Sequence, residues 1–353
     1  MTKQVSIGGV LVGGGSPVKV QTMNNTKTGD VKATLEQIRK FAEAGCDITR
    51  VTVPDMESAE ALKEITKLSP IPVVADIHFD YRLAIAAAEN GAAKIRINPG
   101  NIGAGERINK VASVCKERGI PIRVGVNSGS VSKALVEEYG GVCAENMTRS
   151  AMEAVKILED VDFGDIVISI KASSPKLTID TYRQISRMCD YPLHVGVTEA
   201  GTMREGILKS AVGIGTLLAE GIGDTIRVSL TGDPVEEVYA GISILKALDL
   251  RRGGITFVSC PTCGRTEVPL IEYATAIEER VRRLPYDLKI AVMGCVVNGP
   301  GEGREADIGL AGGKNEFLLF KKGQVIRKLP VETAVDDFVE EVIKLGKENE
   351  RIS

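Results

Sequence analysis

From Val18 onward, short β-branched runs alternate with stretches whose apolar residues recur at helical spacing. The β-branched runs are 18–23, 48–53, 71–77, 94–99, 121–127, 165–171, 192–199 and 225–231. Between them, 31–44, 57–68, 82–90, 106–118, 147–158, 179–188 and 204–219 read as amphipathic helices. Gly45, Gly91, Gly119 and Gly221 sit just after helical stretches, where a left-handed residue closes the last turn. Before this rhythm begins, Gly8-Gly9 and Gly13-Gly14-Gly15 predict a hairpin. Roughly eight strand–helix units in about 250 residues predict a (β/α)8 or TIM barrel. A doubly wound open sheet is the alternative way to arrange the same units.

Pro234 starts one more helix, running to Leu250, and Arg251-Arg252-Gly253-Gly254 reads as a linker. The expected domains are therefore a barrel over 1–252 and a smaller unit over 253–353. The second unit reads as strand 255–259, helix 269–283, strand 288–293, short strands near 308–310, 317–320 and 325–328, and helix 331–349. That is a small α+β domain.

Parallel barrel strands are covered on both faces and should read as unbroken apolar runs. Five here do not: Arg50, Arg96, Arg123, Lys171 and Arg227 each interrupt or end a β-branched run. A buried cation without a partner costs several kcal/mol, so these must meet anions. Inward residues near the C-terminal strand ends converge on one mouth. Asp76 and Glu199 lie near strand ends and could neutralise two of the five. The surplus calls for a ligand with several negative charges, and a diphosphate suits guanidinium forks. Asn127 and Ser229, on the same strands, could add neutral hydrogen bonds. Glu199 is the best proton-handling candidate, because it ends a strand at the face where barrel chemistry occurs. His78 reads as a structural hydrogen-bonder, and His194, at the start of its strand, as facing away from the mouth.

Composition narrows the setting. Of 353 residues, 43% are hydrophobic and 26% charged, enough to bury a large core. A net charge of -3 argues against a general binder of nucleic acid or anionic membrane, and 4% aromatics without Trp leaves little for base stacking. Gly13-Gly14-Gly15-Ser16 lacks the following Gly-Lys-Ser/Thr of a phosphate-binding P-loop. The N-terminus has no hydrophobic signal core, and the most apolar span, 206–221, contains Lys209 and Glu220. A cytoplasmic protein is expected, where thiols stay reduced. Of seven cysteines, Cys46, Cys115, Cys143 and Cys189 are scattered singly and read as small buried hydrophobes.

The other three are grouped. Cys260-Pro261-Thr262-Cys263 presents two thiols on one tight bend, and Cys295 follows one helix-and-strand unit later, just before Asn298-Gly299-Pro300-Gly301-Glu302. A C-x-x-C pair alone fits structural zinc, a redox dithiol or an iron–sulfur cluster. The third cysteine and the glycine-rich loop favour the cluster. Neither histidine is close in sequence, which leaves Glu302 as the expected fourth ligand, an oxygen donor that substrate can displace. Topology adds one expectation. The last barrel helix should end at the bottom of the barrel, far from its own mouth. The thiol domain is then expected to cap the mouth of a second subunit in a head-to-tail homodimer.

Cys-Pro-Thr-Cys-Gly-Arg-Thr at 260–266, Met-Gly-Cys-Val-Val-Asn-Gly-Pro-Gly-Glu at 293–302, Val-Gln-Thr-Met at 20–23 and Lys-Ile-Arg-Ile-Asn-Pro-Gly-Asn at 94–101 resemble the 4-hydroxy-3-methylbut-2-enyl diphosphate synthase family, in its two-domain bacterial form. The resemblance spans essentially the whole chain. It implies a barrel followed by a [4Fe–4S] domain, and a homodimer with one chain's cluster over the other's barrel. It implies reductive ring opening and dehydration of 2-C-methyl-D-erythritol 2,4-cyclodiphosphate in the methylerythritol phosphate route to isoprenoids. Electrons would come from ferredoxin or flavodoxin. By resemblance, Cys260, Cys263, Cys295 and Glu302 hold the cluster, and Arg50, Arg96, Arg123, Lys171 and Arg227 hold the diphosphate with Asn127 and Ser229. Glu199 would handle protons near the reacting carbons, and Asn298 would reach substrate from the cluster side. Two rival readings are a pterin-type synthase barrel with a structural zinc domain and an electron-carrier or iron–sulfur delivery module. The first predicts a colourless zinc protein, and the second leaves the cations unexplained.

Overall fold

The structure, a computed structural model, describes residues 1–102, 105–297 and 303–350. The chain divides into two compact units, Met1–Arg251 and Arg252–Ser353.

The first unit begins with an antiparallel hairpin, β1 (Gln4–Ile7) and β2 (Val10–Gly13). Strand and helix then alternate: β3 (Lys19–Met23), α1 (Val31–Glu43), β4 (Ile48–Thr52), α2 (Met56–Leu68), β5 (Val73–Asp76), α3 (Tyr81–Glu89) and β6 (Lys94–Ile97). A short α4 (Pro99–Ile102) precedes α5 (Glu106–Arg118), and a short α6 (Lys133–Glu138) lies between β7 (Ile122–Asn127) and α7 (Ala144–Glu159). The ring is completed by β8 (Ile166–Lys171), α8 (Pro175–Met188), β9 (His194–Val195), α9 (Met203–Ala219), β10 (Thr225–Ile226) and α10 (Pro234–Ala247). Helix starts follow local chemistry: Asp30, Asp55 and Asp233 each accept a backbone N–H of the first turn, at 3.0, 2.8 and 2.9 Å.

Strands run in the order β8-β7-β6-β5-β4-β3-β10-β9, all parallel. An isolated parallel bridge between Ile168 and Leu193 joins the two ends, so the sheet is a barrel rather than the open alternative. Val5, Ile7 and Val12 of the hairpin pack with Ile48, Val74 and Val167 near the strand starts, closing the bottom. The main core fills the layer between strands and helices.

Two strands are shorter than the pattern predicts. β9 and β10 keep only two ladder residues each, although their apolar runs are longer. The chain diverges after Val195, where Gly196 lies so close that a Cβ would stand 2.6 Å from the Arg227 carbonyl and 3.1 Å from Lys171 Nζ.

The second unit is a five-stranded sheet in the order β11 (Ile255–Ser259), β12 (Leu288–Met293), β13 (Ile308–Gly313), β14 (Glu316–Lys321) and β15 (Gln324–Pro330). The first three are parallel and the last two pair antiparallel. α11 (Leu270–Val281) and α12 (Ala334–Glu350) supply the apolar cover, with Ile277, Val281, Phe338 and Val342 fully buried against Ile290 and Leu310. No helix among the described residues is long and apolar enough to cross a membrane.

Candidate active site

Strand register lays the barrel cations side by side. Arg50 stands opposite Met23 on β3 and Val74 on β5, Asp76 opposite Arg96, Arg96 opposite Arg123, and Asn127 opposite Lys171. A cavity of about 130 Å³ gathers Arg50, Arg96, Arg123, Lys171 and Arg227 with Asn127 and Ser229. Every barrel residue predicted to hold a diphosphate therefore lines one space. Asp76, His78, Ser169 and Thr198 complete the lining.

Among the described residues, two carboxylates face these five cations. Asp76 is 3.0 Å from Arg96 Nη1 and 3.7 Å from Arg50 Nε. Burial alone would push its pKa up, but Arg50, Arg96 and Arg123 outweigh it and hold the acid at about 2. The second is Glu237, in the first turn of α10, which accepts from both Nε and Nη2 of Arg227 at 3.2 Å. Glu237, not Glu199, is the second counter-charge. Glu199 is exposed, sits at φ +51° in the bend after β9, and is absent from the cavity lining.

Three positive charges remain in excess. Arg123 carries the most telling geometry: it is 0% exposed and, among the described residues, none of its three guanidinium nitrogens has a hydrogen-bond partner. Lys171 is 7% exposed, and burial, reinforced by Arg227 and Arg50, drives its ammonium well below the usual lysine range. Burial likewise takes Arg50 down to about 10. Buried guanidinium nitrogens without acceptors are costly to maintain. A polyanion entering this cavity supplies the acceptors at once.

Deeper in the barrel lies a polar layer the sequence pattern did not reveal. Lys94 is fully buried and, among the described residues, reaches Gln21 Oε1 at 3.4 Å. His194 is also buried within the barrel, its Nδ1 2.8 Å from Thr225 Oγ1, and burial keeps the ring neutral. His78, expected to be structural, lines the cavity from an exposed position.

In the second unit, Cys260 follows β11 and Cys295 lies two residues beyond β12, at the same end of two adjacent parallel strands. The Gly294 N–H donates to Cys260 Sγ at 3.2 Å. Cys263 is exposed, and a backbone hydrogen bond from Arg265, aided by that side chain and Thr266, lowers its pKa. Cys295 is buried. Among the described residues, no three His, Cys, Asp or Glu side chains stand close enough to enclose a metal ion. Glu302 and Asn298 lie outside the described residues. The donor chemistry nonetheless suits an iron–sulfur group: soft thiols at neighbouring strand ends, one already accepting an amide N–H and another biased toward thiolate. Of the scattered cysteines, Cys46 and Cys115 are buried and pushed up to about 12 by burial. Cys143 and Cys189 are only half-buried, and Cys143 sits at the N-terminus of α7 instead of in the core.

Fold and site together define a class: a closed parallel barrel whose C-terminal mouth gathers five cations, followed by a small domain bearing grouped thiols. Comparison with known proteins makes this specific. A family model described as the GcpE TIM-barrel domain matches residues 2–242, and one described as the GcpE protein C-terminal domain matches residues 256–344. The chain belongs to the GcpE family. It is 60% identical over 344 residues to the 4-hydroxy-3-methylbut-2-en-1-yl diphosphate synthase (flavodoxin) of Ruminiclostridium cellulolyticum, covering 98% of each chain. The Clostridium acetobutylicum protein of the same name is 58% identical over 341 residues, covering 97% of this chain and 98% of the relative. Among solved structures, Yersinia pestis dihydropteroate synthase superposes with a TM-score of 0.50 over 71% of this chain and 100% of its own, at 12% identity. That likeness is one of barrel fold alone.

Proposed function

We propose that this chain catalyses reductive ring opening and dehydration of 2-C-methyl-D-erythritol 2,4-cyclodiphosphate to 4-hydroxy-3-methylbut-2-enyl diphosphate. The observation that carries the reading is the cavity's uncompensated positive charge, centred on Arg123, whose guanidinium has no acceptor among the described residues. The full-length relatives named for this diphosphate product support it.

Arg50, Arg96, Arg123, Lys171 and Arg227 grip the two phosphates, with Asn127 and Ser229 adding neutral donors. C–O cleavage leaves charge on a phosphate oxygen, and these fixed cations stabilise it without reorganising. The cavity is narrow and polar, so it orients the phosphates and leaves the carbon skeleton toward the opening. Glu199, exposed in a left-handed conformation after β9, would handle protons near the reacting carbons from outside the phosphate cavity. Cys260, Cys263, Cys295 and Glu302 would hold a [4Fe–4S] cluster, which when bound supplies electrons singly for the two-electron reduction. Asn298 would approach substrate from the same domain. A homodimer in which each thiol domain serves the partner's barrel, flavodoxin or ferredoxin as donor, and a cytoplasmic setting complete the proposal. Anaerobic purification with iron, sulfide and zinc analysis, followed by turnover of the cyclic diphosphate with reduced flavodoxin, tests it. A zinc-bearing or iron-free protein with full activity overturns it.

A further inference from the structure

The cations of the cavity are not all held alike, and the difference points to a residue with a defined task. Arg50 and Arg96 share Asp76 across neighbouring strands, in a part of the barrel where the ladders are continuous. Arg227 has no such support on one side. The β10–β3 ladder consists of Thr225 with Lys19 and Ile226 with Val20, and ends one residue before Arg227. Above that point, Glu237 makes the connection.

Both its oxygens are fully used. Oε1 accepts from Arg227 Nη2 at 3.2 Å and from the Leu230 N–H at 2.9 Å. Oε2 accepts from Arg227 Nε at 3.2 Å and from the Thr22 hydroxyl at 2.8 Å. Glu237 is 3% exposed. A buried carboxylate on α10 with four hydrogen bonds from β3 and the segment after β10 is held at both oxygens, and its bidentate grip fixes the plane of the guanidinium. The Nε–Nη2 edge is thereby occupied. Nη1, 3.6 Å from Met23 Sδ, remains free of carboxylate in a residue that lines the cavity.

We infer that Glu237 is a positioning residue for the polyanion site, aiming the free edge of Arg227 at bound phosphate. The inference rests on the proposed reading of that cavity as a diphosphate site. Acting through Arg227, Glu237 contributes to ligand affinity only while that guanidinium is present. Its other donors, Thr22 and Leu230, tie α10 to β3 and to the segment after β10, while the bidentate pair with Arg227 suffices to set the guanidinium plane.

The test is calorimetric titration of the full chain with inorganic diphosphate, in wild type, Glu237→Gln, Arg227→Met, the double variant and Thr22→Val, each with its melting temperature. Glu237→Gln should weaken diphosphate by about tenfold, the size of one charge-assisted hydrogen bond misplaced. In the Arg227→Met background the same change should add less than about twofold. Glu237→Asp, which keeps the charge, should recover part of the loss. Thr22→Val should lower the melting temperature yet leave diphosphate affinity within about twofold. For the cyclic substrate, Glu237→Gln should raise KM with little change in kcat, as expected when ground-state and transition-state binding fall together. A tenfold loss in both backgrounds, or an equal loss from Thr22→Val, overturns the inference while leaving the anion site standing. Wild type that ignores diphosphate overturns the polyanion reading, and this inference with it.

Discussion

Replacing Arg123 by Met should make the protein more stable and less able to bind its ligand. The side chain is 0% exposed and its three guanidinium nitrogens lack partners among the described residues. Burial and the neighbouring Arg50 and Arg96 all disfavour its charge, and Asp76 offsets them only in part. Exchanging buried charge for a well-packed apolar group of similar volume is worth about 1–4 kcal/mol, and Met follows the shape of the arginine stem. Taking about 2 kcal/mol, the barrel transition should rise by roughly 4–8 °C for a unit of this size. Diphosphate at about 100 times its Kd should stabilise wild type by about 2.7 kcal/mol and the variant by almost nothing. The two proteins should thus exchange order, the variant melting higher without anion and wild type higher with it. Scanning calorimetry of the full chain in buffer free of phosphate and sulfate reads both, the transition that moves with diphosphate identifying the barrel. A variant that melts below wild type without anion refutes the argument from unsatisfied burial. A variant whose transition still climbs with diphosphate refutes Arg123 as the centre of the site.

The remaining predictions concern neighbouring groups. A Cβ on Gly125 would lie 2.4 Å from Arg96 Nε, so Gly125→Ala should push that side chain off Asp76 and weaken diphosphate by about tenfold, with far-ultraviolet circular dichroism unchanged; unchanged affinity would dissociate Arg96 from binding. Asp76 has a folded-state pKa near 2, below the unfolded value of about 4. Its stabilisation is therefore present above about pH 4 and lost as pH falls toward 2, and Asp76→Asn should flatten acid unfolding in that window. Cys295→Ser should lose iron outright, whereas Glu302→Ala should keep a more labile cluster; full iron in the first or none in the second removes the corresponding ligand assignment.

What was legible in the chain, and what was not, follows from how each residue departs from its local pattern. A cation inside a β-branched strand contradicts the burial of parallel sheets, so Arg50, Arg96, Arg123, Lys171 and Arg227 mark out a shared cavity from the run of residues alone. The spacing of Cys260, Cys263 and Cys295 is equally local. Glu237 breaks no rule. Asp233 caps α10, and Glu236 and Glu237 complement the positive end of the helix, as acids in a first turn ordinarily do. Which of the two adjacent carboxylates turns inward is decided by how α10 rotates against β3, a packing fact with no signature in the run of residues. Lys94 and His194 were hidden for the opposite reason. A polar residue at the start of a strand reads as an edge facing water, but here the β1–β2 hairpin seals the bottom and turns that edge into interior. The same seal keeps water from the lower barrel, lowering the local dielectric and raising the cost of each cation above it. A short hairpin that looks incidental in the sequence thus helps make the cavity demand an anion, because without that closure water could reach Arg123 from below and the drive to capture phosphate would weaken.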